Sequence, residues 1–302
     1  MIKYVLSCAS PGLISERFLQ DIHDIIESHQ LVIEKTEDLS PKKMMAINFL
    51  LEANRTTSWK DLQTDFLKAS NFHKIDIALM ENDSMRTNKK MVVFDMDSTL
   101  IGAEVIDEMA SVYGIGDQVK LITERAMNGE LQFDEALRER VALLKGLERE
   151  KMETIFERLP LTPGTERFMK TIKGLGYKTA IVSGGFNYFA ESLRKKLNMD
   201  YAFANELEFD GSVLNGKVKG EIVNAAKKAA LLESLALKEH LSVDQVVAVG
   251  DGANDLLMLK KAGLGIAFHA KEMVKKETRH HLSHGPMTTL LYFLGISGNH
   301  FE

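Results

Sequence analysis

Two aspartates one residue apart, Asp95 and Asp97, followed by Ser98 and Thr99, close an apolar run from Met91 to Phe94. An Asp-x-Asp pair crowds two carboxylates where like charges repel. A bound cation relieves that repulsion, and a hard ion such as Mg²⁺ takes oxygen ligands. A carboxylate can also act as a nucleophile and form an aspartyl-phosphate. Three more clusters invite the same kind of chemistry. Ser183-Gly184-Gly185 closes the run Thr179 to Val182, offering a hydroxyl and backbone N–H groups ahead of a helix, which is a phosphate-binding arrangement. Gly250-Asp251-Gly252-Ala253-Asn254-Asp255 closes Val246 to Val249, with glycines that let the backbone approach a ligand. Lys228 lies beside Lys227 on a helical stretch; one lysine of the pair could reach a phosphate, with a solvated helix face the usual explanation for such a pair. Each cluster alone is also a common turn or surface. Together they supply what phosphoryl transfer needs: cations to neutralise phosphate charge and donors to hold its oxygens. The chain has no Gly-x-x-x-x-Gly-Lys-Ser/Thr loop, which argues against an ATP-dependent P-loop enzyme.

Such groups work only if strands deliver them to one place. Continuous apolar runs at 91–94, 179–182 and 246–249 read as buried strands of a parallel sheet, with a further strand at 265–268. In an open α/β sheet, ligands bind just beyond the carboxyl ends of the strands. From Glu104 to about residue 165 the pattern is helical, with Val105, Met109 and Val112 on one face, then Val119, Ile122, Ala126 and Met127, then Phe133, Leu137, Val141 and Leu144. A helical insert placed there is a natural lid, which excludes water and adds substrate contacts. Met127 and Phe133 are candidates for its apolar wall, with plain core packing the alternative. Phe168 to Lys173 and Ile222 to Leu237 read as helices, and Tyr201 to Phe209 with Asp210-Gly211 and Asn215-Gly216 as a strand and hairpin. His280, His281 and His284 lack zinc-like spacing and read as a solvated, partly helical segment.

Residues 1–84 carry a different pattern. Ile2 to Ala9, Leu31 to Thr36, Met44 to Leu51 and Ile75 to Met80 read as strands; Ile14 to His29 and Trp59 to Ala69 as helices, the second capped by Ser58; and Asp38 to Pro41 as a turn. The order β-α-β-β-α-β fits a small ferredoxin-like α+β domain. Glu81 to Lys90 is polar and aperiodic, a linker to a second domain at 91–302.

Composition narrows the rest. The chain has 302 residues, 45% of them hydrophobic, which is enough for two well-buried domains. A net charge of −5 and the lack of any Lys/Arg block argue against nucleic acid or an anionic membrane surface as partner. Cys8 is the sole cysteine, which rules out an internal disulfide and a cysteine zinc site. With no signal peptide and no apolar run approaching about 18 residues, the expectation is a soluble cytoplasmic protein.

From 91 to about 285 the chain resembles the haloacid-dehalogenase superfamily, and within it the phosphoserine phosphatases. Asp95-Met96-Asp97-Ser98-Thr99 matches its first motif, Ser183-Gly184-Gly185 the second, Lys228 the third and Gly250-Asp251-Gly252-Ala253-Asn254-Asp255 the fourth. Glu104-Val105-Ile106-Asp107-Glu108 and Leu137-Arg138-Glu139-Arg140-Val141 look like the substrate-selecting segments. The resemblance implies a Rossmann-like core with a helical-bundle cap at about 104–165. It implies Mg²⁺-dependent hydrolysis of O-phospho-L-serine, the last step of serine biosynthesis. Asp95 is then the nucleophile and Asp97 the general acid and base. The ion is held by Asp95, Asp97 and Asp251, with Asp255 through a water. Ser183, Gly184, Lys228 and Asn254 bind the phosphate, and Glu104 and Arg140 the ammonium and carboxylate of the substrate. The first 84 residues resemble an ACT-like regulatory domain, which implies amino-acid binding or pairing with a second copy; a packing module without ligand is the alternative. A phosphotransferase passing phosphate to another hydroxyl, such as that of homoserine, and a non-catalytic amino-acid sensor are the competing functions. The Asp-x-Asp-Ser-Thr form and the intact acid set weigh against both.

Overall fold

The computed structural model describes residues 2–40, 45–53, 58–83 and 88–301. The expected turn at Pro41, the strand start at Met44 and the middle of the expected linker lie outside the described residues. The first half runs β1 (Ile2–Ala9), α1 (Glu16–Ser28), β2 (Val32–Asp38), β3 (Ala46–Ala53), α2 (Trp59–His73) and β4 (Asp76–Glu81). Its four strands form an antiparallel sheet in the order β2-β3-β1-β4, the ferredoxin-like arrangement. Both helices have local reasons to start where they do: Ser15 and Ser58 accept the N–H groups of Phe18 and Asp61. On α1, Phe18, Ile22 and Ile26 recur at helical spacing and are buried against Tyr4, Leu6, Phe49 and Leu51 on one sheet face.

The second half opens with β5 (Met91–Phe94), all four residues buried. Four helices follow: α3 (Val105–Tyr113), α4 (Gly116–Met127), α5 (Phe133–Leu143) and α6 (Arg149–Arg158). The chain then alternates through α7 (Thr165–Gly174), β6 (Lys178–Phe186), α8 (Asn187–Lys196), the hairpin of β7 (Tyr201–Asp210) and β8 (Val213–Lys219), and α9 (Ala225–Lys238). It closes with β9 (Val246–Gly250), α10 (Leu256–Lys261), β10 (Leu264–Phe268), α11 (Glu272–Glu277), β11 (His280–Leu282) and α12 (Thr289–Phe293). The sheet order is β11-β10-β9-β5-β6-β7-β8, parallel except for the β7–β8 hairpin. The two central strands, β5 and β9, are apolar throughout because helices cover both faces. In β5, Phe94 pairs with Ile181 on one side and Val249 on the other, so three strand ends lie level. Asp95 and Asp251 stand just beyond the ends of β5 and β9, and Ser183 lies beside them, past the part of β6 paired with β5.

The four-helix insert leaves and returns through adjacent segments. Gly102 N–H donates to Pro160 O at 2.9 Å and Thr162 N–H to Leu100 O at 3.0 Å, while Ile101 and Leu161 bridge. The two halves are packed together: Ala9, Ala46, Ala78 and Met80, on the second face of the antiparallel sheet, belong to the same apolar cluster as Leu290, Leu291 and Phe293. The Asp76 carboxylate, at the start of β4, accepts N–H bonds from Ser283 (2.6 Å), His284 (3.1 Å) and Gly285 (2.7 Å).

Some details differ from the sequence expectations. His280 to Leu282 is an edge strand beside β10, not a solvated helical segment; three residues are too few for periodicity to register. Ser183 to Phe186 continue β6, and the helix begins only at Asn187. Asn215-Gly216 lies inside β8, and the hairpin turns at Gly211. Val112 and Met127 face solvent, 40% and 66% exposed, because the apolar stripe of the cap is narrower than the run of hydrophobic residues suggests.

Candidate active site

Lys228 is the pivot. It sits in the first turn of α9, which starts at Asn224, whose side chain accepts the Lys227 N–H at 3.1 Å. With no exposed surface, its Nζ lies 2.8 Å from Asp95 Oδ1 and 2.7 Å from Asp255 Oδ1. Burial alone would lower its pKa, but Asp255 and Asp95 hold it above the ordinary lysine value. Lys227 faces outward and pairs with Glu221 at 2.6 Å.

Asp255 ends a single 3-10 turn and takes the Gly252 N–H on Oδ2 at 3.0 Å. Asp251 accepts the Thr99 hydroxyl at 3.3 Å. Asp95, Asp251 and Asp255 each present an oxygen within 4.8 Å of the others. One lysine therefore faces three carboxylates in a largely dry cavity. Burial, then the Asp255 charge, pushes Asp95 up to about 7 despite Lys228. Burial, then Asp95 and Asp255, pushes Asp251 up to about 8. Asp95 Oδ1 is buried and receives no well-directed hydrogen bond, even from Lys228. An all-oxygen donor set with excess negative charge and an under-satisfied carboxylate oxygen fits a hard divalent cation.

Asp97 is set apart from these acids. Its Oδ1 accepts the Val105 N–H at 3.0 Å, and Ser183 Oγ lies 3.5 Å from its Oδ2. Burial, then the charges of Glu104 and Asp95, raises its pKa well above its ordinary value. A carboxyl pushed toward its protonated form, next to one paired with lysine, suits an acid and a nucleophile side by side.

Ser183 is buried and its Oγ accepts the Gly185 N–H at 2.9 Å. Gly185 has no room for a side chain: a Cβ would collide with the Asp97 carboxylate and come within 2.9 Å of Met96 Cε. Above Gly184 stand Phe133 Cζ and Asn254 Nδ2, 2.9 Å and 3.5 Å from where a Cβ would be. Phe133 is the first residue of α5, so the cap reaches over the Gly184–Gly185 segment.

Two charges face the site from the cap side. Glu104, just ahead of α3, accepts the Ser98 hydroxyl at 2.7 Å. Arg140, in the last turn of α5, donates Nε to Ala136 O at 3.2 Å. Burial lowers the Arg140 pKa, while the charges of Asp107, Glu104 and Asp97 oppose the shift, so its guanidinium lies within electrostatic reach of the acids.

The structure thus gathers Asp95, Asp97, Ser183, Gly184, Lys228, Asp251, Asn254 and Asp255 at one end of the sheet, with Glu104 and Arg140 at the cap. It leaves out Met127. Three features carry no motif signal: Ser98 holds a left-handed φ of 56° while bonding Glu104, Asn224 Nδ2 reaches Asp134 of α5 at 3.2 Å, and Asn205 is a buried amide on β7. For Asn205 a faint cue exists, a lone asparagine closing the run Tyr201 to Ala204.

Residues 89–263 match the model of the haloacid dehalogenase-like hydrolases. A phosphoserine phosphatase of Archaeoglobus fulgidus is 52% identical over 201 residues, 67% of this chain; the match spans 58% of that relative's length. A crystal structure of a probable phosphoserine phosphatase from Vibrio cholerae superposes with a TM-score of 0.78 at 32% identity, covering 99% of this chain and 88% of that one. A phosphoserine phosphatase structure described as a phospho-aspartyl intermediate analogue superposes at 0.64 with 43% identity, covering 68% of this chain and 98% of that one. A family match over more than half of the chain, with relatives more than 40% identical, shows shared ancestry, and the chain belongs to the haloacid dehalogenase-like hydrolases, in their phosphoserine phosphatase family.

Proposed function

We propose that the chain is a Mg²⁺-dependent phosphatase that hydrolyses O-phospho-L-serine to L-serine and phosphate through a phospho-aspartate on Asp95. The observation that carries this reading is the buried Lys228 bridging Asp95 and Asp255, with the buried Asp97 carboxyl facing Ser183 beside them.

The Asp95 carboxylate attacks phosphorus; an O–P bond forms and the bond to the serine oxygen breaks. Asp97 gives its proton to the departing oxygen and becomes a carboxylate. It then takes a proton from the water that attacks phosphorus and releases Asp95, so one residue serves both steps. Ser183 Oγ, the Gly184 N–H and Lys228 Nζ hold the non-bridging oxygens, and Asn254 stands close by. Asp95, Asp251 and the Asp97 carbonyl, with Asp255 through a water, would hold a Mg²⁺ ion, whose charge would offset that of the phosphate. Glu104 takes the substrate ammonium and Arg140 its carboxylate, a pair that selects an amino acid over a sugar.

In this reading residues 1–84 form one domain and 91–302 the other. The first is ACT-like and pairs with a second copy of itself; its strand β2 lies at the sheet edge with Val32 60% exposed, which supports that role. Light scattering on the purified chain checks the pairing. We place the enzyme in the cytoplasm, where phosphorylated amino acids are made and used; among the described residues no helix is long and apolar enough to cross a membrane.

The decisive experiment is phosphate release across phosphoserine, phosphothreonine and hexose phosphates, with and without Mg²⁺ and with homoserine as acceptor. Mg²⁺-dependent preference for phosphoserine, lost in Asp95→Asn, supports the reading. Preference for a sugar phosphate, transfer to homoserine, or turnover by Asp95→Asn overturns it.

A further inference from the structure

Behind the phosphate-binding turn lies a side chain that the mechanism leaves unused. Asn205 is 1% exposed. Its Nδ2 donates to the Gly184 carbonyl at 2.8 Å, and its Oδ1 accepts the Val223 N–H at 2.8 Å. The Gly184 carbonyl shares a peptide plane with the Gly185 N–H, so gripping one fixes the direction of the other. That N–H donates to Ser183 Oγ at 2.9 Å, and Ser183 Oγ in turn faces Asp97 Oδ2 at 3.5 Å. With one lone pair of the hydroxyl occupied by Gly185, its proton is turned toward Asp97 and the phosphoryl site.

The clamp has a physical reason. Gly185 must lack a Cβ because of Asp97, and Gly184 lies tight under Phe133. A Gly-Gly peptide has no side chain to anchor it and wide backbone freedom. Without an outside grip it would rotate and take the Ser183 hydroxyl with it. Hydrogen bonds in series also polarise one another in a dry interior. The other arm of Asn205 holds Val223, next to Asn224, the cap of the helix that carries Lys228. One amide thus ties together two elements that hold phosphate.

We propose that Asn205 is a positioning residue for phosphoryl transfer. It locks the Gly184–Gly185 peptide, through that peptide aims the Ser183 hydroxyl, and spaces this turn against the Lys228 helix. It touches neither substrate nor metal, and its role rests on the phosphatase reading above.

The test is a double-mutant cycle on the full chain with Mg²⁺: wild type, Asn205→Ala, Ser183→Ala and the double variant, assayed for phosphoserine hydrolysis. Asn205→Ala lowers kcat about tenfold to a hundredfold, as expected when a buried carbonyl loses its donor. KM changes little, because Glu104 and Arg140 are untouched. In the Ser183→Ala background the same substitution costs several-fold less than in the wild type, because the hydroxyl it aims is gone and only its spacing of the Lys228 helix remains to be lost. The rise in melting temperature on adding Mg²⁺ stays as in the wild type, since the acid cluster is intact. If Asn205→Ala fails to fold, Asn205→Ser, whose polar cavity a water can fill, is read in the same two backgrounds. An unchanged kcat, an equal loss in both backgrounds, or a loss confined to KM overturns the proposal while the wild-type activity stands. No turnover by the wild type overturns the phosphatase reading and this inference with it.

Discussion

Lys228 is fully buried and still charged, because two carboxylates lie within 2.8 Å of its Nζ. In the proposed mechanism removing it strips a donor from the phosphoryl site, a change worth about 10²–10³ in kcat at comparable sites. Lys228→Met is expected to lose activity on that scale in a phosphate-release assay, while KM for phosphoserine shifts less. The acids opposite it give a pH prediction. Asp95 and Asp251 are raised to about 7 and about 8, so in the metal-free protein they bind protons more tightly than in the unfolded chain. Their contribution to stability is present at low pH and is lost as pH rises through 7 and 8. A divalent ion needs both groups ionised, so its binding releases protons and tightens across the same window. Melting temperatures of metal-free protein should fall between pH 6 and pH 8.5. Stabilisation by Mg²⁺ should grow over that interval, and titration enthalpies should depend on the buffer.

Elements matter here through their ends. α9 points its first turn at the site because Asn224 caps it, and the same Asn224 reaches across to Asp134 at the start of α5. One side chain thus joins the lysine helix to the cap. Asn224→Ala is expected to cost about 1 kcal/mol of stability for the lost cap, read as a lower urea midpoint. It should also raise KM, because the cap that carries Phe133 and Arg140 loses a tether. A midpoint that falls without any kinetic change would leave only the capping role. Most elements were legible because their cause is local: the apolar runs of β5 and β9, the Ser58 cap of α2, and the helical stripe of Phe18, Ile22 and Ile26. β11 was not, since its three residues become a strand only by lying beside β10. Nor was the outward turn of Met127, because hydrophobicity along a helix does not say which residues the neighbouring helices leave uncovered.

At the scale of the molecule, the antiparallel sheet has both faces covered: one by its own helices, the other by the C-terminal segment around α12. Asp76 is the polar anchor of that contact. Burial raises its pKa even though Ser283, Gly285 and His284 donate backbone N–H groups to it. Asp76→Ala leaves those buried donors unpaired, at a cost of about 1–3 kcal/mol for each group that water cannot reach. The expected outcome is a lower denaturant midpoint with kcat of the folded fraction unchanged, since the residues proposed to bind phosphate lie elsewhere. The Met287 N–H bonds Pro163 O at 2.8 Å, beside the neck of the cap, so a shift in KM in the same variant would reveal coupling between the two halves.

The sequence by itself determined which residues could do chemistry and in what order strands would present them. Acids after apolar runs, a glycine pair after another and a helix bearing Lys228 are local facts, written in neighbouring residues. Only the tertiary structure decided that Lys228 would sit between Asp95 and Asp255, that Asn205 would hold the Gly184 carbonyl, and that Asp76 would anchor the far end of the chain. Those contacts join residues distant in sequence through buried hydrogen bonds, and such bonds leave no periodic trace in the chain that forms them.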